Sequence, residues 1–130
     1  MKHRLTWNQF CRVVRDAVES LPPQFQEHLE NVVVDVQEAP TPDDLDRAAE
    51  RDDPRDDGLL LGLFDGVPIT EQGPGDAHPN VITIFRRAHE ELCRSRAELH
   101  RQIRATVIHE LAHHFGFEES DLDEFEERHQ

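Results

Sequence analysis

The chain has 130 residues, enough for one modest hydrophobic core and a single domain over 1–130. Its 14 basic and 28 acidic residues give a formal charge of −14, with no basic patch interleaved with aromatics, which argues against nucleic acid and anionic membranes as partners. There is no apolar run of about 18 residues to span a membrane.

Residues 1–20 lack the apolar core of a targeting segment, because Arg12, Arg15 and Asp16 interrupt it. Cys11 and Cys93 match no metal or redox spacing, so both are expected as reduced thiols in a cytoplasmic protein.

In chain order, Thr6 is placed to cap a helix over 6–20, with Phe10, Val13, Val14 and Ala17 on one face. Pro22 and Pro23 break it, and Gln24 to Leu29 suggest a short second helix. The β-branched run Asn31 to Val36 reads as a strand. Residues 38–57 carry nine acids, three Arg and three Pro, and read as a solvated loop with one turn of helix after Thr41-Pro42. Leu59 to Phe64 is apolar throughout, a buried strand running into an Asp65-Gly66 turn. A Gly/Pro loop over 72–80 contains His78, and Val81 to Arg87 is the third strand, finished by Arg86 and Arg87.

The last long element begins at Ser95, where Ser95 and Glu98 form a capping box. Leu99, Ile103, Val107, Leu111 and Phe115 then recur every four residues, the apolar stripe of a helix over 96–115. Gly116 stands just past its end, where a left-handed turn stops a helix. Ser120 is placed to cap a final short helix with Leu122 and Phe125.

The stretch from His109 to Glu119, His-Glu-Leu-Ala-His-His-Phe-Gly-Phe-Glu-Glu, carries the chemistry. His109 and His113 are four apart, so their imidazoles leave the same helix face and can hold one metal ion. Glu110 follows the first His, the position of the general base in the HExxH arrangement of zinc peptidases. A reversal at Gly116 brings an acid three residues later within reach as a third ligand, and Glu119 occupies that place. Asp121 and Asp123 are the alternatives should the turn differ. His114 points away from the ligand pair, and His78 is a lone loop histidine of the kind that is usually solvated.

The order "SLPPQFQEHLENVVVDV", "LLGLFDGVPIT", "VITIFRR" and "VIHELAHHFGFEESDL" resembles the small bacterial zincin-like metallopeptidases, single-domain relatives of the Asp-zincins. The resemblance implies a compact α+β fold, a small mixed sheet packed on helices with the motif helix at the back of a cleft. It also implies a zinc ion held by His109, His113 and Glu119, with Glu110 as general base. Glu119 stands where the Asp-zincin motif has Asp, a departure of one methylene. Metzincins are disfavoured, since position 119 is not His and the only Met is Met1.

The implied activity is hydrolysis of a peptide or protein substrate by a zinc-activated water, with the strand at Val81 to Arg87 as the edge that pairs with substrate backbone. No Tyr exists to donate to the oxyanion, which leaves Arg86, Arg87 and His78 as candidates. The competing expectation is a metal-binding interaction module of the same fold with little turnover.

Overall fold

Helix α1, Trp7–Glu19, begins with a reciprocal cap: Thr6 Oγ1 accepts from Gln9 N at 3.1 Å, and Gln9 Oε1 accepts from Thr6 N at 2.9 Å. The computed structural model describes residues 5–50, 59–66 and 80–115. Ser20 to Pro22 turn the chain, and Pro23 stands at the first position of α2, Pro23–Leu29, where its missing N–H costs nothing. The Gln26 amide donates back to Val18 O at 2.8 Å and Leu21 O at 3.1 Å, closing the corner between the two helices.

Strand β1 spans Val32–Gln37, β2 Gly62–Asp65 and β3 Asn80–Phe85. They form a mixed sheet in the order β1-β3-β2, with β1 parallel and β2 antiparallel to β3. The fold is therefore α+β, with five helices among the described residues.

The structure corrects the expectation for the third strand. β3 is the centre of the sheet, bonded to β1 along one side and β2 along the other, and offers substrate no edge. Ile82, Ile84 and Phe85 are fully buried, and a strand this apolar belongs where both edges are paired and both faces covered. It also ends at Phe85, and Arg86 and Arg87 start a helix, α4 (Arg86–Leu92), that the sequence pattern does not announce.

The acidic stretch holds a second correction. Nine of its residues form α3, Pro42–Glu50, in place of a single turn. Thr41 caps it: its hydroxyl accepts from Asp44 N at 3.1 Å, and Asp44 Oδ2 accepts from Thr41 N at 2.9 Å. Arg47 binds Asp44 on its own helix and Asp65 at the end of β2, while Ala48 packs fully buried with Leu60, Leu63, Phe85 and Ala88. A run that looks solvated by composition thus covers the second face of the sheet.

Helix α5, Arg96–Phe115, is the central beam. Glu98 N bonds Ser95 Oγ at 3.1 Å, and the Glu98 carboxylate reaches back to Arg94 N at 2.7 Å, one residue before the expected partner. Leu99, Ile103, Val107 and Leu111 are fully buried against Phe10, Val13, Val14 and Ala17 of α1 and against Ile82 and Ile84 of the sheet. No helix among the described residues is long and apolar enough to cross a membrane.

The close contact of α5 with β2 depends on Gly62. A β-carbon there would lie 2.7 Å from Thr106 Cγ2, 3.1 Å from Thr83 O and 3.7 Å from Glu110 Cγ. The first two distances leave no room, and one of them is to backbone. Gly62→Ala is therefore expected to cost about 1–3 kcal/mol, the usual range for overpacking. Urea unfolding checks this; a midpoint within error of the native value would show that the seam has slack.

Candidate metal and catalytic site

The 3.6-residue repeat of α5 sorts the motif between solvent and core. His109 and His113 are exposed on successive turns of one face, whereas Glu110, a third of a turn round, is buried at 4% exposure. Its Oε2 atom is shielded from solvent. Glu110 faces β2 at Gly62, and Thr106 lies one turn earlier in the same row.

Two imidazoles on adjacent turns, open to solvent, are a donor pair that fits zinc, a borderline metal with a preference for nitrogen and sulfur. Among the described residues no group of three or more His, Cys, Asp or Glu could hold a metal ion. Glu119, Asp121 and Asp123, from which the sequence draws the third ligand, lie outside the described residues, as does His78.

Aromatic contacts clamp the last turn of α5. His114 stacks on Phe64 of β2, with centroids 3.9 Å apart and planes 16° apart. Phe115 meets His114 edge-on at 4.9 Å and packs on His28 of α2 at 4.6 Å. His114 therefore serves as a packing ring, consistent with its orientation away from the ligand pair.

The two arginine candidates for an oxyanion donor both meet Glu38. Arg86 binds Glu90 at 2.9 Å, Glu38 at 2.7 Å and Leu5 O at 2.5 Å, and lies 5.8 Å from the Trp7 ring centroid. The Glu90 hydrogen bond, joined by the charges of Glu90 and Glu38, raises its pKa above the ordinary value against the opposing effect of burial. This guanidinium ties the segment before α1, the β1–α3 connection and α4 together, with one bond from each of its nitrogens. Arg87 is exposed, its guanidinium 3.9 Å from Glu38 and its backbone N–H on Glu38 O. Cys93 is a buried free thiol pushed up to about 11 by burial, with Glu98 adding to the rise, so it is no nucleophile.

Sequence reasoning passed over His89. It is fully buried on α4, with Phe10 at 6.4 Å edge-on. Its Nδ1 lies 2.8 Å from Phe85 O and its Nε2 3.0 Å from Thr106 Oγ1. The available signal was a histidine at an apolar position of a segment not recognised as a helix.

The motif helix thus turns two imidazoles outward and one carboxylate inward, packed on a small mixed sheet. Residues 29–129 match the family described as zincin-like metallopeptidase, and the chain belongs to that family. No curated protein matches the chain. Among solved structures it is similar to a conserved hypothetical protein from Thermo thermophilus, with a TM-score of 0.53 at 22% identity over 85% of this chain and 94% of that one. That likeness shows the fold.

Burial pushes the His89 pKa down to about 4 from its ordinary 6.5, against the Phe85 hydrogen bond that raises it. The unfolded chain takes up this proton as pH falls through 6.5, while the folded chain holds it off until about 4. Stability present above 6.5 is therefore lost across that window, by an amount on the order of 3 kcal/mol. Urea midpoints between pH 7 and 4 are expected to fall more steeply for the native chain than for His89→Asn. Parallel curves would show that His89 takes no part.

Proposed function

We propose that the protein is a zinc-dependent peptidase acting on peptide or protein substrates in the cytoplasm. The observation that carries the reading is the division of the motif: His109 and His113 face solvent together while Glu110 is buried beside them against β2. His109 and His113 would hold the metal, with Glu119, beyond the turn that the sequence predicts at Gly116, as the third ligand. Zinc in that position supplies a Lewis acid that polarises the scissile carbonyl and lowers the pKa of water.

The chain's own residues perform the proton chemistry. Glu110 accepts a proton from the attacking water and hands it to the leaving amine. Substrate backbone runs along β2, the strand that flanks Glu110 and is outermost on that side among the described residues, in place of the central β3. The acidic surface favours neutral or basic peptides. The free thiols at Cys11 and Cys93 suit a reducing compartment.

A second reading, a metal-binding interaction module with little turnover, draws on the commitment of Arg86 to Glu38 and Glu90 and on the lack of any Tyr in the chain. Cleavage of a peptide library by the zinc-loaded protein separates the two.

Protein purified without chelator is expected to carry about one zinc per chain, bound through two neutral imidazoles and released in mild acid. Glu110→Gln should keep the metal and lose about 10²–10⁴-fold in hydrolysis. Elemental analysis together with the library assay checks both. Loss of zinc from this variant, with unchanged activity per bound ion, would reassign Glu110 as a ligand.

For the third ligand, Glu119→Ala should weaken zinc binding about 10–100-fold or more, and well beyond Asp121→Ala or Asp123→Ala. Competition with a chromophoric chelator measures the three affinities. Equal loss at 119 and 121, or a larger loss at 121 or 123, would move the assignment.

A further inference from the structure

His89 is a costly residue to bury, and a hydrocarbon would fill its place between Phe10 and α5 with no polar atoms to satisfy. Its two nitrogens are both occupied, and the proton count admits one arrangement. Phe85 O can only accept, so Nδ1 carries the hydrogen across the 2.8 Å contact. Burial keeps the ring neutral, so Nε2 must accept, and Thr106 Oγ1 at 3.0 Å is its donor. Thr106 has a single hydroxyl proton. The same oxygen donates to Gln102 O at 2.9 Å, so the hydroxyl proton is shared between the carbonyl and the histidine.

The histidine and Gln102 O together fix the Thr106 side chain, which in a helix otherwise divides between rotamers. With Oγ1 held on His89, Cγ2 is delivered to Gly62, where a β-carbon would come within 2.7 Å of it. Glu110, one turn on in the same row, meets the same glycine through Cγ. The polar column thus runs from the end of β3 through α4 to α5, and its far end is the seam that seats Glu110.

We propose that His89, acting through the Thr106 hydroxyl, is a positioning residue that holds the Glu110 side chain at the α5–β2 seam; the catalytic part of this inference rests on Glu110 being the base. A turn of helix transmits the constraint. Without the bond the Thr106 methyl can leave Gly62, α5 can roll against β2, and Glu110 loses its fixed place while the exposed His109 and His113 keep theirs.

The test compares Thr106→Val, which keeps a methyl and removes the donor, with His89→Asn, which removes the acceptor, and with the double variant, in the full chain. For the zinc-loaded protein, each single variant is expected to lower kcat about tenfold with KM and zinc affinity within about threefold, and the double variant to lose no more than either alone. Thr106→Val with native kcat, or losses that multiply in the double variant, overturns the proposal.

A readout independent of activity is taken by NMR on the metal-free protein. The His89 ring should show the neutral Nδ1–H tautomer, and the Glu110 γ-proton to Gly62 α-proton cross-peak of the native chain should weaken severalfold in Thr106→Val and in His89→Asn. An undiminished cross-peak in Thr106→Val refutes the positioning whether or not the protein cleaves peptides. Native zinc-loaded protein without turnover, but with the cross-peak behaving as expected, removes only the reading of Glu110 as a base. Should Thr106→Val fail to fold, His89→Asn takes its place, since Asn retains a donor for Phe85 O and cannot reach Thr106.

Discussion

Helix α5 lies against β2 at a separation that only a residue without a side chain allows. At Gly62 the strand backbone comes so close that an added β-carbon would overlap Thr106 Cγ2 and press on Thr83 O. Much else follows from this approach. It buries Glu110 beside two exposed histidines, brings His114 onto Phe64 at the next stretch of the seam, and aligns the apolar stripe of α5 over Ile82 and Ile84. Close packing of this kind tolerates little displacement, because each contact along the seam sets the next.

Charge is arranged around the same seam. The chain carries a large acidic excess, yet two of its arginines are used as fasteners. Arg47 joins α3 to the end of β2, and Arg86 joins α4, the segment before α1 and the connection after β1. Both are partly buried and multiply bonded, a geometry in which an ion pair contributes more than at an open surface.

Family membership and the division of the motif agree on a hydrolytic reading, and they do so through different kinds of information. The family match spans residues 29–129, while exposure of His109 and His113 and burial of Glu110 are properties of the packed helix. A zinc-dependent base needs both: ligands that reach the cleft, and a carboxylate held in one place beside it. The buried His89–Thr106 pair supplies a physical reason for the second requirement, since a polar bond inside an apolar core has direction that packing alone lacks.

The sequence by itself determined what local interactions decide. The cap at Thr6, the long helix from Arg96 and its buried stripe, and the relation of His109 to His113 all follow from contacts within three or four residues along the chain. Tertiary structure alone decided the rest. Strand order put β3 in the centre, because pairing depends on chain segments far apart that no periodicity encodes. The acidic stretch became α3 because Arg47 and Ala48 found partners on β2 and beneath it. The helix α4 and its buried His89 were hidden for the same reason: an imidazole reads as polar until a carbonyl at position 85 and a hydroxyl at position 106 are brought to its two nitrogens.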